Sequence, residues 1–309
     1  MPFESEDARI AARVAALMQI LSPESEALRS GLIRHLKRLN HPDATLALAK
    51  LAIFSEEPSL RAEATSALKS KPGSHYDGAI RLGLRYPRPE IAVRTMELIA
   101  KRERMDWADA LVKLLEEPDP RDPKLSDDGK SYLVREVVKI RHLDNCLLCH
   151  PPARRGSEAM VTGQLSGILW QEFLAAPRKQ IPNAGGQFGF GGYNQGGIAG
   201  FNRTGFQDGP SVRFDVTFLR QDFSLKLAVT AEEQGVSKGA AIKLERFDFL
   251  VRTRKLTPAQ ARQYQKELAR DSGEKSPYRI VAHSALRQLT KQDAEPTAEA
   301  WRAVVAELR

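Results

Sequence analysis

Cysteine is nearly absent: Cys146 and Cys149 are the only two in 309 residues. One pair cannot build the disulfide framework that staples small secreted domains. A chain of this length must therefore rely on a hydrophobic core, and its 42% hydrophobic content suffices for one. The length allows two ordinary domains or one extended stack. Long apolar runs are also missing. None approaches the ~20 residues that span a bilayer, so no membrane span is expected. The amino terminus, MPFESEDARIAARVAALMQIL, lacks the pattern of a secretory signal. Acidic residues occupy the place of a basic n-region, and Arg9 and Arg13 interrupt the stretch where an apolar h-region would lie. With no signal peptide visible, a cytoplasmic location is expected, unless an export segment lies outside this chain. Acid is in deficit, with 39 Asp and Glu against 47 Lys and Arg and a net charge of +8. The excess is spread along the chain, with small concentrations at Arg34-His-Leu-Lys-Arg38 and Lys101-Arg-Glu-Arg104. Nucleic-acid binding calls for a clustered basic face. The scattered pattern reads as solvated helix surface, so nucleic acid is not an expected partner.

What the chain does have, over residues 6–141, is apolar periodicity of helical type. In 6–21, Ile10, Val14, Leu17 and Leu21 recur at intervals of three and four. Ser22-Pro23 supplies an N-cap and an N1 proline for a second helix over 24–39, with Leu28, Leu32, Leu36 and Leu39 as its stripe. Beyond it, Pro58, Pro89 and Pro120 fall 31 residues apart. Each follows an apolar helix: Thr45–Phe54, Tyr76–Arg85 and Trp107–Glu116. Helices over Leu60–Leu68 and Ile91–Ile99 follow the first two prolines in the same register. Such a period, two short helices joined by a proline-bearing turn, marks stacked hairpins that share a core. The pattern resembles HEAT repeats, and an ordinary helix bundle is the alternative. A further helix is expected from Gly129 to about Ile140, with Tyr132, Leu133, Val137 and Ile140 facing inward.

The second half changes character. Residues 142–182 form a junction in which Pro151-Pro152 stops any helix. Residues 183–209 hold ten glycines and read as a low-complexity loop. Gly189-Phe-Gly-Gly192 and Gly196-Gly197 lack the flanking strand, helix and Lys-Ser/Thr of a phosphate loop. In 210–255, Val212, Phe214, Val216 and Phe218 alternate with polar residues, as do Leu225, Leu227 and Val229; Phe247–Arg252 is a second strand-like piece. A small antiparallel insertion is predicted. Residues 256–309 return to helix, over 257–270, 277–289 and 297–308, with Trp301 as an anchor.

Arg141-His-Leu-Asp-Asn-Cys-Leu-Leu-Cys-His150 carries the chemistry. Cys-x-x-Cys-His is the form of a c-type haem attachment site. Thiols at Cys146 and Cys149 can form thioethers to the vinyl groups, and the His150 imidazole can take the iron as proximal ligand. Met160, His142, His75 or His283 are candidate sixth ligands. Zinc is a minor alternative, with His142 as an added ligand, and a structural disulfide or two free thiols is the third reading. Asp215, Asp222 and Asp248 lie on or beside strands, but Arg220, Arg246 and Arg252 share those elements, which favours ion pairs over acid–base work. Ser224 and Ser284 have no base or nucleophile elbow around them.

Three segments together, the one ending in Cys-x-x-Cys-His150, Phe218-Leu-Arg-Gln-Asp-Phe-Ser224 and Arg246-Phe-Asp-Phe-Leu-Val-Arg-Thr-Arg254, resemble a family of bacterial HEAT-repeat proteins. That resemblance implies a haem site in exported, periplasmic proteins and no known activity. No adjacent His-Glu pairs occur of the kind that metal-dependent HEAT-type hydroxylases use. The expected fold is mainly α: a HEAT-like α-solenoid over 1–141 and 256–309, with a small antiparallel β insertion and a Gly-rich loop. The expected function is a non-catalytic scaffold that binds a protein partner on its concave face and carries one haem c. A scaffold with structural cysteines is the alternative, and a basic HEAT-type nucleic-acid binder is the third reading.

Overall fold

The computed structural model describes residues 5–142, 222–229, 243–272 and 276–308. These comprise ten α-helices and a four-stranded antiparallel sheet. The first helices are α1 (Glu6–Leu21), α2 (Glu26–Arg38), α3 (Pro42–Phe54), α4 (Pro58–Ala67), α5 (Asp77–Leu84), α6 (Pro89–Lys101) and α7 (Ala108–Glu116). Prolines 42, 58 and 89 each open a helix in its first turn, where the missing N–H costs nothing. Ser22-Pro23 belongs instead to the turn after α1, and α2 begins three residues past the proline. Its inward stripe is Arg29, Leu32, Ile33 and Leu36, while Leu28 is 50% exposed.

Helix α3 occupies the centre. Its sequence PDATLALAKLAIF is apolar nearly all round, and nine of its residues are buried. A helix without a polar face must be covered on every side, and α3 touches α1, α2, α4, α5 and α6. Cations tie successive helix ends together at a regular sequence distance. Lys71 Nζ donates to Leu39 O at 2.7 Å, Arg102 Nη2 to Lys69 O at 3.3 Å and Arg104 Nη1 to Gly73 O at 3.1 Å, across 32, 33 and 31 residues. Leu39 and Lys69 stand at helix C-terminal ends, where their carbonyls have no partner within the helix, and Gly73 opens a short 3-10 turn.

Residues 129–140 are not a helix. They lie in a hairpin formed by β1 (Lys124–Leu125) and β2 (Tyr132–Arg141). The Asp128-Gly129 turn closes it, with Gly129 at φ 66° and Ser126 N bonded to Ser131 O at 2.9 Å. Tyr132, Leu133, Val137 and Ile140 fit a helical spacing, but Val134, Val137, Val138 and Ile140 are β-branched and suit a strand better. Pairing with β4 (Lys243–Leu256) along all ten residues of β2 decides the matter. The other strand, β3 (Phe223–Val229), pairs with the opposite edge of β4, giving the order β1-β2-β4-β3. The sheet thus draws one long strand from within 1–141, upstream of the expected insertion. The expected strand Val212–Phe218 and the Gly-rich loop lie outside the described residues.

One sheet face packs on the helices through an aromatic column. Phe223 stacks on Phe249 at 4.6 Å and on Phe54 of α3 at 5.3 Å, and Tyr86 meets Phe54 edge-on at 5.3 Å. After the sheet come α8 (Pro258–Ser272), α9 (Pro277–Thr290) and α10 (Ala298–Glu307). Pro120, third in the 31-residue series, opens a turn and no helix. Its place is taken from far along the chain. Helix α9, with Pro277 in its first turn, packs on α6 and α7. Tyr278 Oη donates to Tyr86 O at 2.5 Å, Ser276 Oγ to Asp119 Oδ2 at 2.8 Å and Arg279 Nη2 to Glu117 O at 2.9 Å. Trp301 of α10 is fully buried. Among the described residues, no helix is long and apolar enough to cross a membrane.

Candidate functional site

The chain runs from the last residues of β2 toward the cysteine pair within a few positions, and a polar cluster forms at that end of the sheet. Register sets Ser224 of β3 and Ile140 of β2 opposite Asp248 of β4. His142 follows directly after β2. Asp248 is 0% exposed, and a carboxylate so buried must be paired and bonded. His142 Nδ1 lies 2.9 Å from Oδ2, Ser224 Oγ donates to Oδ1 at 2.7 Å, and Arg246 Nε approaches Oδ1 at 3.4 Å. Arg246 is pinned in turn: Nη1 donates to Gln19 O at 2.6 Å and Nη2 to Gln19 Oε1 at 2.7 Å. Burial pushes the Arg246 guanidinium below its usual range, and Asp248 opposes that shift.

This arrangement has a definite chemical sense. An ionised carboxylate only accepts, so it is His142 Nδ1 that carries the hydrogen shared with Asp248. Carboxylate-held imidazoles of this kind are what metal-binding histidines use to fix their tautomer. Ser224 donates to the same carboxylate, which makes it a partner of Asp248 and leaves the imidazole without a hydroxyl nucleophile from that residue. Of the ion pairs expected between strand aspartates and arginines, Arg246 with Asp248 is found, whereas Arg252 pairs with Glu136 at 2.6 Å and Asp222 accepts from Tyr86 and Val251. The Ser224–Asp248–His142 grouping is not legible in the sequence, because its members are 24 and 106 residues apart and only register unites them.

Cys146, Cys149, His150 and Met160 lie outside the described residues, as do Asp215 and Arg220. Of the other histidines, His283 Nε2 is 3.0 Å from Ala294 O and its ring meets Trp301 edge-on at 5.7 Å, so it works in the packing of α9 on α10. His75 has a buried Nδ1 with no hydrogen-bond partner. His41 caps α3, its Nδ1 accepting from Asp43 N at 3.2 Å. Among the described residues, no three His, Cys, Asp or Glu side chains are grouped to hold a metal ion.

A second polar feature lies beside the aromatic column, at the start of β3. Asp222 Oδ2 accepts from Tyr86 Oη at 2.9 Å and from Val251 N at 3.0 Å. Burial raises the Asp222 carboxyl above its usual range, against the pull of Tyr86 and of the Lys50 ammonium. Burial lowers Lys50, and Asp222 counters it. Burial also raises the Tyr86 phenol, with Asp222 adding to the shift. The raised Asp222 fixes a sign. Between pH 3.8 and its folded value, the native state holds a proton that the unfolded chain has released, so its contribution to stability falls as pH rises through that window. Asp222→Asn is expected to flatten that decline in urea midpoints measured across pH 4–7, and an unaltered slope would exclude Asp222 as its source. No protein-family model, no curated protein and no solved structure matches the chain.

Proposed function

We propose that the chain is a non-catalytic HEAT-like scaffold that carries one c-type haem on Cys146, Cys149 and His150 and exchanges or senses single electrons within an assembly. The observation that carries the reading is the motif itself: both cysteines of a cysteine-poor chain fall in Cys-x-x-Cys-His. The bonds recurring at 31–33 residues between helix ends support the repeat reading. Support for the site comes from the anchoring upstream. Four residues before Cys146, His142 is held to a buried carboxylate, and Arg141 pairs with Glu245 at 3.3 Å. A cofactor segment hung on a fixed strand end loses less entropy on ordering than one between two free loops.

In this reading Cys146 and Cys149 supply the thioether sulfurs and His150 the proximal nitrogen, with Met160 a candidate for the sixth position. The bound haem supplies one-electron chemistry between Fe(III) and Fe(II), with a potential tuned by axial ligand and burial. A protein partner would take the concave face of the helical stack. Covalent attachment also implies an extracytoplasmic, periplasmic site of maturation. The test is expression with an export signal in a host that has haem-maturation machinery. A Soret band that survives acid–acetone extraction is expected, with its loss in Cys146→Ser/Cys149→Ser. A colourless but folded product would sink the proposal. Zinc found by elemental analysis of that product would turn it to the metal alternative. A scaffold with structural cysteines is the second reading, and a Cys146→Ala/Cys149→Ala variant that keeps partner binding and thermal stability would favour it.

A further inference from the structure

Helices α2, α4 and α6 run parallel and end side by side. Arg34 of α2 lies 4.0 Å from Glu63 of α4, and Glu26, a turn or two earlier, accepts from Ser59. Arg94 of α6 pairs with Glu56, just ahead of α4, at 2.9 Å. At the far end, Lys71 Nζ donates to Leu39 O after α2, and Arg102 Nη2 to Lys69 O in the 3-10 turn that prolongs α4. Cations gather there. Helix α2 closes on Lys37 and Arg38, α4 on Lys69, and α6 on Lys101 and Arg102, with Lys37, Lys69 and Lys101 spaced 32 residues apart. Between the ends of α4 and α6 lies an open groove of about 460 Å³, walled by Ala62, Thr65, Ser66, Lys69, Lys101 and Arg102.

A helix C-terminus carries roughly half a negative charge, so some cation at each end is expected. The cations here exceed that need. Glu63 is matched to Arg34 and Glu97 to Lys101. Among the described residues, exposed Lys37, Arg38 and Lys69 have no carboxylate within ion-pair distance, and Arg102 meets only a carbonyl. The Arg102 Nε–H is buried without an acceptor. Against these four stands Glu103, an unpaired carboxylate beside the groove. The surplus draws an anionic partner. No aromatic side chain lines the groove to stack a base, and four unpaired cations are few for a duplex, whose binders neutralise about six to ten phosphates. A protein helix suits the spacing. Neighbouring helix axes stand about 8–10 Å apart, and residues seven apart on a helix lie about 10.5 Å apart on nearly one face. Carboxylates in that pattern meet the three helix ends in turn.

We propose that the ends of α2, α4 and α6 form a docking surface for an acidic helix of a partner protein. The surface stands on these helices alone, so the outcome of the haem test does not bear on it. The probe is a fluorescein-labelled, alanine-rich peptide of about 21 residues with glutamates along one helical face. Its binding to the full chain is followed by fluorescence anisotropy at low and at physiological salt. Saturable binding that weakens with salt is expected. Lys37→Glu/Lys69→Glu should weaken it about tenfold. Lys124→Glu/Lys255→Glu makes the same charge change on exposed residues of β1 and β4 and should weaken it less than about twofold. Glu103→Gln removes the unpaired acid and should tighten binding about two- to threefold. All the substituted side chains are exposed, and an unaltered Tm shows that the variants fold. Equal losses in the two lysine pairs overturn the surface, as does a wild type that binds no peptide saturably. The same glutamates scattered round the peptide helix should bind several-fold more weakly, and equal binding overturns the helical fit. A DNA duplex of about 20 base pairs, or vesicles containing phosphatidylserine, bound more tightly than the peptide and lost equally in Lys37→Glu/Lys69→Glu, overturns the protein partner.

Discussion

Asp248→Ala is expected to cost about 3–5 kcal/mol of folding stability, the scale for removing one partner from a buried charge pair. Asp248 is fully buried and receives Ser224 Oγ, His142 Nδ1 and Arg246 Nε. Without it, a half-buried guanidinium loses a counter-ion, and the buried Ser224 hydroxyl loses the carboxylate it donates to. Asp248→Asn should cost less, since its carbonyl still accepts from Ser224 or His142 and only the charge is gone. Urea unfolding followed by far-ultraviolet circular dichroism measures both, with the m-value checked for constancy. A loss under about 1 kcal/mol for the alanine variant would show that Asp248 is not the keystone of β4. The effect also bears on the haem reading. If His142 anchors the cysteine segment, Asp248→Asn should lower the yield of covalent haem more than it lowers soluble protein.

Phe223→Ala should cost a similar amount, about 3–5 kcal/mol, for a different reason. Its ring is covered on both faces, by Phe249 at 4.6 Å and Phe54 at 5.3 Å, and the Arg88 guanidinium sits 5.9 Å from its centroid. Truncation opens a void between α3 and the sheet that neither rigid element can close. Aromatic pairs add to the burial loss. Phe223→Leu keeps most of the volume and should cost about half as much. Hydrogen exchange gives the sharper reading. Amides of β3 and β4 should lose protection more than those of α9 and α10, which pack on α6 and α7 through separate contacts. Uniform loss of protection across all elements would mean that the sheet and helices unfold as one unit irrespective of this ring.

The helices were largely legible in the sequence because their signals are local. Prolines 42, 58, 89 and 277 in first turns and apolar residues three and four apart act within a few residues, and the observed ends follow them closely. The strands at Phe223–Val229 and around Phe247–Arg252 were legible for the same reason, from alternation. Tyr132–Arg141 was not. Its apolar residues suit either period, and the Asp-Gly turn that could have marked a hairpin stands next to an edge strand of two residues. Only the partner strand, more than a hundred residues away, settles its conformation. The two polar clusters were hidden for the same physical cause. Asp222 reads as a strand-end carboxylate until Tyr86 and Val251 are found to donate to it, and Asp248 reads as a strand carboxylate until register brings Ser224 and His142 to it.

By itself, then, the sequence determined that this is a mainly helical chain with a small antiparallel sheet, and it holds the Cys146-x-x-Cys149-His150 motif whole. Each of those is written in neighbours a few positions apart, where propensity, spacing and covalent chemistry act without help. Tertiary structure alone decided that β2 joins the sheet and that α9 supplies the helix missing after Pro120. It also decided which of the many charged residues are buried against one another. Burial and long-range pairing depend on which surfaces meet, and that depends on the whole packed chain at once. The strand that leads into the cysteine motif shows both sides of this. Its cysteines and histidine can be read from the chain, and the buried carboxylate that holds His142 in place cannot.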